Sequence, residues 1–391
     1  MRQTADVLII GGGIAGCATA WMLAREGVDV LVVDARAPGA GASGANAGGL
    51  HGQIPHDAFL ARGEAWARDY LHALRLMHAS IALWRSLPEA LGCDLELKTK
   101  GGLLIAETGE QLTALARKAA IERDAGFDVR LLDAAALRAE APYVTTRALG
   151  GLLAPAEGQA SPLLALPALA RAARAAGARL LSRIALRALR RDPPGFVADT
   201  DAGEIAARRV VNAAGADAGR VAALLGLHLP ITGAPIQVSV TEPAAPLIRH
   251  LMYHAAGMLT VKQASNGTVL IGGGWPARAR PGGRLSPDPR SMAANIGLAC
   301  AAVPAIAPLR LVRTWPGRVN ETPDALPVLG ESRAVPGLFT AAFPWMGFTC
   351  GPITARITAD LLLGRTPGFD LSPFAAERFT TRVTDGTPAA P

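Results

Sequence analysis

Three glycines near the N-terminus have the spacing of a phosphate-binding turn. Gly11, Gly13 and Gly16 form a GxGxxG motif between the apolar run 7–10 and an alanine-rich run, 14–26. In such a turn the first glycine makes the tight bend, and the second lets a pyrophosphate approach the backbone at the positive end of a helix. The third glycine lets the helix pack closely on the strand. The motif therefore predicts a strand, a turn and a helix that bind a dinucleotide.

An acidic residue follows at the distance that such a site requires. The apolar run 28–33 ends at Asp34, whose carboxylate can accept a hydrogen bond from a ribose hydroxyl. Next comes 38–51, a long segment of small residues whose backbone N–H groups could line an extended cofactor, although its composition also fits a flexible linker. Ala45 stands where a GxSxG motif needs its last glycine, so a serine-hydrolase elbow is not expected.

The same region permits a second interpretation, as an exported leader. Residues 7–24 are 18 uncharged residues, the lower limit for a membrane span, and 14–17 resemble a lipoprotein box. Asp6, however, stands where a signal peptide carries positive charge, and four glycines interrupt the run. We therefore expect no transmembrane segment and a cytoplasmic location, with peripheral contact to the inner face of the membrane left open.

Composition sets the class of protein and excludes several kinds of site. The chain has 391 residues, of which 50% are hydrophobic and 18% are charged, which predicts a folded protein with a large core. A disordered chain, a collagen and a small disulfide scaffold are excluded. The four cysteines lie far apart without a CxxC pair, so neither a zinc site nor a cysteine-ligated iron–sulfur cluster is expected.

The net charge of +7 comes mainly from arginine, since only four of the 39 basic residues are lysine. The densest basic segment, 171–191, has no interleaved aromatic residues, so nucleic acid is not an expected partner. Two interpretations stay open for this segment. One is an ion-paired face in solvent, and the other is a contact surface for an acidic partner or anionic lipid.

Four segments spanning nearly the whole chain carry a family resemblance. They are the opening motif with GASGANAGGLHGQ, then RVVNAAGADA, then RTWPGRVNETPDALPVLG, and last GLFTAA with the MGFT that follows it. In this order they resemble the D-amino acid oxidase, glycine oxidase and sarcosine oxidase family of FAD flavoproteins. The resemblance implies a mixed α/β fold of two lobes. A Rossmann-like lobe would bind FAD, and a substrate lobe would be built on an antiparallel β-sheet.

The resemblance also implies how the chain divides. The FAD lobe is expected to combine 1–92, 145–227 and 322–391, and the substrate lobe to combine 93–144 and 228–321.

Local patterns predict further elements. Glycine-centred alternation predicts hairpins at 97–105 and 258–271, and residues 58–91 are helical in pattern. The tail 380–391 is expected to be flexible.

Non-covalent FAD is the cofactor that the resemblance implies. Gly317 stands where covalently flavinylated sarcosine oxidases carry a cysteine. The residues expected to contact FAD are mostly small: Gly11, Gly13, Ile14, Ala15, Gly16, Asp34, Ala35, Arg36, Ser43, Asn46, Ala47, Gly48, Gly49, Leu50, Ile184, Ala213, Ala214, Gly215, Gly330, Gly347, Phe348 and Thr349.

In this family the substrate is an amine, usually an amino acid, whose carbon bearing nitrogen gives a hydride to flavin N5. The substrate carboxylate then needs a cation. Glycine-oxidase-like proteins carry arginines at two positions that are Val319 and Trp345 here, with Arg318 displaced by one residue. The candidates for substrate binding are therefore Arg318, Trp345, Lys262 and His51. A structural Arg318 and an exposed Lys262 are the alternatives.

A narrower resemblance concerns the electron acceptor. The Val-Asn variant and the VKQ before VLIGGG resemble β subunits of heteromeric bacterial amino-acid dehydrogenases, similar to opine oxidases and hydrogen cyanide synthase. This implies partner subunits with further redox cofactors, and a dehydrogenase rather than an oxidase. Because the chain has no cysteine cluster to relay electrons, dioxygen, a quinone or a partner must receive them.

The leading hypothesis is FAD-dependent oxidation of a D-amino acid, imino acid, N-alkyl glycine or opine. One alternative is an electron-transfer or structural flavin subunit without substrate chemistry. Another is a flavoprotein that oxidises a hydroxyl, whose phosphate site would use the arginines Arg278, Arg280, Arg284 and Arg290.

Overall fold

The computed structural model describes residues 2–379, which form two compact units. Of these residues, the first unit combines 2–44, 166–234 and 319–379, and the second combines 45–165 and 235–318. The predicted tail, 380–391, lies outside the described residues.

Strands and helices alternate in the first third of the chain. The helices are α1 (Ile14–Arg25), α2 (Ala42–Ala45), α3 (His56–Leu91), α4 (Gly109–Asp124), α5 (Ala134–Glu140), α6 (Pro162–Ala175), α7 (Ala218–Ala223), α8 (Pro289–Ala302) and α9 (Gly347–Leu362). The strands of the first half are β1 (Gln3–Ile10), β2 (Val30–Asp34), β3 (Gly49–Leu50), β4 (Gly102–Ala106), β5 (Arg130–Asp133), β6 (Gly150–Ala154), β7 (Gly158–Gln159), β8 (Arg179–Ser182), β9 (Leu186–Asp192) and β10 (Gly195–Thr200). Those of the second half are β11 (Gly203–Asn212), β12 (Thr232–Pro243), β13 (Leu251–His254), β14 (Gly257–Gln263), β15 (Thr268–Gly272), β16 (Arg278–Ala279), β17 (Leu285–Ser286), β18 (Leu311–Glu321), β19 (Val328–Glu331) and β20 (Leu338–Ala342).

The sheet of the first unit is mainly parallel. Its strands lie in the order β19-β20-β11-β1-β2-β8, and the ribbon β9-β10 extends β11. β1 pairs in parallel with β2 and β11, so these three strands end at the same edge of the sheet. Leu8, Leu31 and Val210 are fully buried in the core beside this sheet, as expected for parallel strands covered on both faces. The predicted strand–helix–strand unit is therefore confirmed as β1, α1 and β2.

The sheet of the second unit is mainly antiparallel, in the order β18-β12-β15-β14-β13-β4-β6-β5. Near its middle, β13 and β4 pair in parallel. Met252, Val261 and Ile271 project from neighbouring strands into one buried cluster that also includes Ala299 of α8. The mixed α/β fold with a Rossmann-like part and an antiparallel part is the one that the sequence predicted.

The sequence predicts two hairpins, and one of these predictions is wrong. β14 and β15 form the hairpin expected over 258–271, in register Val261 to Ile271. Residues 97–105 contain one strand, β4, because Lys98 bridges to Gln159 and β4 pairs with β6 and β13 instead. Gly101, with φ of +93°, turns the chain into β4 rather than back on itself.

The division into units differs from the expected lobes at two long segments, and by a few residues at 228–234 and 319–321. Residues 45–92 and 145–165 fall within the second unit. The physical reason is strand pairing and helix packing: β6 pairs with β4 and β5, and α3 packs against α4. Helix α3 covers the predicted 58–91, although Gly63 leaves helical geometry with φ of +81°.

The arginine-rich segment forms ion pairs within the first unit. Arg179 pairs with Asp29, and Arg187 pairs with Asp201, with nitrogen–oxygen distances of 2.9 and 2.5 Å. Arg190 pairs with Glu204 at 3.2 Å. These pairs agree with the solvent-face interpretation for three of the arginines. No helix within residues 2–379 has the length and apolar character needed to cross a membrane.

One ion pair of the second unit is completely buried. Lys118 Nζ lies 3.0 Å from Glu122 Oε1 one turn later on α4, and both side chains have zero exposure. Glu122 Oε1 also accepts a hydrogen bond from the backbone N–H of Ile54 at 2.6 Å. Removing one partner of such a pair leaves an uncompensated buried charge.

We predict that Lys118→Met lowers the free energy of unfolding by about 3–5 kcal/mol. The control is Arg68→Met, which removes an exposed pair of the same i,i+4 spacing with Glu64 and should cost under about 1 kcal/mol. Urea denaturation followed by circular dichroism compares the two variants. Equal losses would contradict the burial argument.

Candidate functional site

The glycine turn of the first unit has no room for side chains. Gly11 has φ of +111°, and a Cβ there would collide with the carbonyl oxygen of Ala213. A Cβ on Gly16 would collide with the carbonyl oxygen of Gly11. Gly13 precedes α1 and offers no side-chain cap, so the first N–H groups of a 12-residue helix face this turn. The turn thus has the close backbone approach and positive helix end that a pyrophosphate requires.

The acidic residue at the end of β2 is fixed beside this turn. Asp34 Oδ2 accepts a hydrogen bond from Gly12 N, and Oδ1 accepts one from Arg36 N, both at 2.7 Å. The carbonyl oxygen of Asp34 accepts from Ile184 N at 2.9 Å. Ser43 Oγ accepts from Ile14 N at 3.0 Å, which places a hydroxyl at the start of α1. A carboxylate and a hydroxyl are therefore available for the sugar and phosphates of a dinucleotide.

The other residues predicted for the first unit lie at strand ends or helix starts. Ala213, Ala214 and Gly215 follow β11, and Ala213 N donates to Ile10 O at 2.9 Å. Gly330 lies in β19 with φ of +116°. The first unit holds Gly11, Gly13, Ile14, Ala15, Gly16, Asp34, Ala35, Arg36, Ser43, Ile184, Ala213, Ala214, Gly215, Gly330, Gly347, Phe348 and Thr349.

Helix α9 is packed tightly against α1 within the first unit. Gly347, Phe348 and Thr349 form its first turn. A Cβ on Gly351 would lie 2.6 Å from Ile14, so a glycine is required where the two helices meet.

The remaining predicted cofactor residues, Asn46, Ala47, Gly48, Gly49 and Leu50, belong to the second unit. Asn46 Oδ1 accepts from Gly48 N at 2.6 Å, which closes a local turn. Leu50 lies in β3, which pairs with β7. A Cβ on Gly48 would lie 2.8 Å from Lys262 Nζ, and a Cβ on Gly49 would lie 2.7 Å from His51 Nε2. Two consecutive glycines thus make room for an ammonium and an imidazole.

Lys262 is a buried cation. It lies in β14 with 4% exposure, so the alternative of an exposed Lys262 is wrong. Within residues 2–379 its ammonium has no hydrogen bond or ion pair. Burial lowers the pKa of Lys262 to about 7, although Glu96 opposes this shift. An ammonium in this position favours an anionic ligand.

His51 is a neutral imidazole at neutral pH. Burial, followed by the charge of Lys262, lowers the pKa of His51 to about 4. His51 Nδ1 lies 2.7 Å from the hydroxyl of Tyr253, a β13 residue that the sequence does not single out. The structure therefore brings together two of the four predicted substrate-binding residues, His51 and Lys262.

The other two predicted residues are exposed. Arg318 is exposed on β18, whereas the next residue, Val319, is half-buried, as expected for alternating faces of a strand. Trp345 belongs to the first unit, is 39% exposed and has φ of +56°. The phosphate-site arginines Arg278, Arg280, Arg284 and Arg290 are all exposed.

Sequence reasoning missed a buried carboxylate beside His51. Glu157 has zero exposure, and its charge adds to burial in raising the pKa of Tyr253 well above the ordinary value. Its Oε1 accepts from Gly52 N at 2.6 Å, and its Oε2 accepts from Gln53 Nε2 at 3.0 Å. Gln53 Oε1 in turn accepts from Lys118 Nζ at 2.9 Å. A polar network therefore runs from Glu157 through Gln53 to the buried pair on α4.

One sequence signal could have indicated this network. Gly102 begins the apolar strand β4, and a Cβ there would overlap Glu157 Oε2, but no residue near Gly102 in the sequence indicates that contact. Lys118 and Glu122 have the i,i+4 spacing of an ordinary surface pair. Gln53, a polar residue at the end of the glycine-rich segment, is the member of the network that stands out by position.

Comparison with known proteins agrees with this geometry. Residues 6–361 match the DAO family, described as FAD dependent oxidoreductase. The chain is 32% identical to the glycine oxidase of Geobacillus kaustophilus, with 98% of this chain and 99% of that protein covered. It is 29% identical to one of the subunits of the opine oxidase of Rhizobium meliloti, with 96% of this chain and 97% of that subunit covered.

Solved structures give the same result. The crystal structure of Geobacillus kaustophilus glycine oxidase superposes with a TM-score of 0.85 at 30% identity, covering 96% of this chain and 99% of that one. The L-proline dehydrogenase of P. horikoshii superposes with a TM-score of 0.86 at 24% identity, covering 97% and 99%, and shows the shared fold. The resemblance predicted from the four segments is confirmed, and the chain belongs to the DAO family of FAD-dependent oxidoreductases.

Proposed function

We propose that this chain oxidises an amino acid or a related secondary amine, with Lys262 binding the substrate carboxylate. The observation that carries this proposal is the buried Lys262 ammonium, which has no partner within residues 2–379. A carboxylate that pairs with it gains a charge-assisted hydrogen bond in a site with little water. D-amino acids, imino acids, N-alkyl glycines and opines all carry this group beside a nitrogen.

The neutral His51 provides the second part of the site. After burial, the charge of Lys262 is the second cause that lowers the pKa of His51, so the two side chains influence each other electrostatically. A substrate amine must lose its proton before the neighbouring carbon can give up a hydride, and an imidazole with a low pKa is uncharged and able to accept a hydrogen bond. FAD, when bound, supplies the acceptor for that hydride.

The residues around the glycine turn fit FAD. Gly11, Gly13 and Gly16 leave the backbone open, and Asp34 offers a carboxylate to the ribose. Non-covalent binding is supported by the cysteines, because burial raises the pKa of Cys350 well above its ordinary value and that of Cys17 to about 12. Both thiols are therefore protonated and poor nucleophiles.

A dehydrogenase that passes its electrons to partner subunits is the more specific form of this proposal. Two relatives, from opine oxidase and sarcosine oxidase, are by name subunits of larger enzymes. Within residues 2–379 no group of His, Cys, Asp and Glu could hold a metal ion for onward transfer. We propose a cytoplasmic location, where such partners would meet the chain.

The test is an anaerobic screen. Purified, FAD-loaded protein is mixed with D-amino acids, prolines, N-alkyl glycines and opines, and the flavin absorbance is followed. Bleaching by one class identifies the substrate, and reoxidation by air or by a quinone separates oxidase from dehydrogenase. If no amine with a carboxylate bleaches the flavin, the proposal is wrong.

Lys262→Met should weaken binding of the bleaching substrate by roughly 10- to 100-fold, because a hydrogen bond to a charged group is lost. Stopped-flow flavin reduction measures this as a higher half-saturating concentration. Lys100→Met, which removes an exposed lysine of the same unit, is the control and should leave it unchanged. If the carboxylate of the substrate is replaced by an amide, wild type and Lys262→Met should bind it with similar affinity.

The affinity for simple carboxylates should fall with pH. Lys262 is charged below its pKa of about 7 and neutral above it, and only the charged form attracts an anion. Titration of the flavin absorbance with acetate or benzoate should give a dissociation constant that rises about tenfold per pH unit above that value. Lys262→Met should bind weakly with no such rise. A wild-type constant that stays flat would argue against a titrating Lys262.

Gly16→Ala should yield protein with little flavin, since the added Cβ meets the carbonyl oxygen of Gly11. Gly297→Ala is the matched control, because it also adds a methyl group to a helical glycine and meets nothing within 4 Å. The ratio of flavin to protein absorbance compares the two variants.

Acid precipitation should release all wild-type flavin into the supernatant, and flavin left on the pellet would overturn non-covalent binding.

A further inference from the structure

Three consecutive glycines stand at the end of β15, and the first of them differs from the other two. Gly273 and Gly274 have φ of +118° and +92°, the region that favours glycine. Gly272 is the last residue of β15 and pairs with Thr260 of β14, and its φ lies outside that region. Backbone conformation therefore does not explain why position 272 lacks a side chain.

Tight packing does not explain it either. A Cβ on Gly273 would lie 2.6 Å from Leu259 Cα, so no side chain fits there. Apart from its chain neighbours, a Cβ on Gly272 would meet only two heavy atoms of residues 2–379 within 4 Å. They are Thr260 Oγ1 at 3.3 Å and Val238 Cγ2 at 3.5 Å, from the strands on either side. The glycine therefore leaves a gap in the surface of the sheet.

The gap lies on the same face of the second sheet as Lys262. Val261 projects into the core beside α8, so Thr260 and Lys262, its two neighbours in β14, project to the opposite face. Lys262 pairs with Leu270, which precedes Gly272 by two residues on β15. Gly272 is therefore the diagonal neighbour of Lys262, and such neighbours lie about 7–8 Å apart.

The walls of the gap are mostly apolar. Leu270 pairs with Lys262 on one side and with Val240 of β12 on the other, so the three side chains form a row. Leu270, Val240 and Thr260 are half-buried, whereas Val238 is buried. We call this gap the Gly272 hollow, with Gly272 as its floor and Val238, Val240, Thr260 and Leu270 as its walls. None of these residues is charged, and the Thr260 hydroxyl is the only polar side-chain group among them.

We propose that the Gly272 hollow receives the side chain of the substrate whose carboxylate binds Lys262, and that this side chain is small and aliphatic. This rests on the proposed amine oxidation. Lys262 is 4% exposed and its ammonium has no partner within residues 2–379, which points to an anionic ligand. An apolar hollow diagonal to that ammonium supplies the second contact that an amino acid with an aliphatic side chain needs.

The hollow distinguishes between the substrate classes that Lys262 alone would accept. N-alkyl glycines carry no side chain on the carbon beside the carboxylate, so they cannot fill the hollow from that carbon. An opine carries a second carboxylate, which would lose its water against Val238 and Leu270 without a cation among the walls. Amino acids and cyclic imino acids with an aliphatic side chain gain affinity by burying it, about fourfold for each methylene.

Calorimetric titration of FAD-loaded protein with simple carboxylates tests the hollow without any turnover. Acetate, propionate, butyrate and pentanoate are compared below the pKa of Lys262, where the ammonium is charged. The dissociation constant should fall about fourfold for each methylene that enters the hollow. Glutarate has the length of pentanoate and a second carboxylate, and should bind more weakly. Constants that do not change with chain length, or equal binding of glutarate and pentanoate, would overturn the proposal.

Gly272→Ala fills part of the hollow and should reduce the advantage of pentanoate over acetate by on the order of tenfold. Gly257→Ala is the matched control, because it also adds a methyl group to a strand glycine without positive φ. That methyl group would lie 3.5 Å from Leu298 of α8, which is on the other face of the sheet. Gly257→Ala should therefore keep the wild-type ratio. The same ratio in both variants would contradict the assignment of the hollow.

Val238→Ala provides a second variant in case Gly272→Ala does not fold. Alone, it widens the hollow and should favour hexanoate over pentanoate more than wild type does. Combined with Gly272→Ala, it returns space next to the added methyl group, so the advantage of pentanoate should recover. Circular dichroism and flavin content verify that each variant is folded. Folded variants in which neither change occurs would show that Val238 does not line the site.

The anaerobic screen tests the substrate class. Amino acids or cyclic imino acids with an aliphatic side chain should reduce the flavin at lower half-saturating concentrations than glycine, sarcosine or opines. If an amine reduces the flavin without this preference, the hollow is not the side-chain site, and the proposed function stands. If the carboxylate series follows chain length but no amine reduces the flavin, the proposed function fails, and the hollow remains a binding site for aliphatic carboxylates.

Discussion

Two buried carboxylates hold the backbone of the segment that carries His51. Glu157 accepts the N–H of Gly52, and Glu122 accepts the N–H of Ile54, both at 2.6 Å. A buried charge is tolerated only when it is paired and hydrogen-bonded, so the segment and its carboxylates depend on each other. Lys118 compensates Glu122 directly and reaches Glu157 through Gln53. The positions of His51 and the neighbouring glycines follow from this network.

Lys262 is the exception within the same unit. The other buried lysine, Lys118, has two partners, whereas Lys262 has none within the described residues. Burying an ammonium without a partner costs free energy, and a protein retains such a group where a ligand completes it. The lowered pKa of Lys262 lets it lose its charge when no anion is bound, which limits that cost. Because Lys262 can lose its proton when no ligand is bound and regain it beside an anion, the empty site is tolerated and the charged site attracts an anion.

The parts of the molecule that depend on backbone geometry could be predicted from the sequence. GxGxxG, the acidic residue that ends β2 and the turn at Asn266-Gly267 each specify their structure within a few residues, and each appears as expected. The prediction of a hairpin over 97–105 was wrong because Gly101 and Gly102 do not form a hairpin turn. Gly101 turns the chain, and Gly102 leaves space for the carboxylate of Glu157, which is distant in sequence. A glycine pair in a sequence does not reveal which of these it does.

The site was only half predictable for the same reason. His51 and Lys262 were found by residue type and position, but what makes them chemically distinctive is contributed by Tyr253, Glu157 and Gly48, which other parts of the chain supply. An imidazole next to a tyrosine can carry its proton on either nitrogen, and at His250 the carboxylate of Glu140 lies 3.0 Å from the ring nitrogen that does not face Tyr143. Residue identity therefore names the candidates for proton transfer. The topology of the second sheet, which brings β13 beside β4 and β14, decides which nitrogen can act as a base.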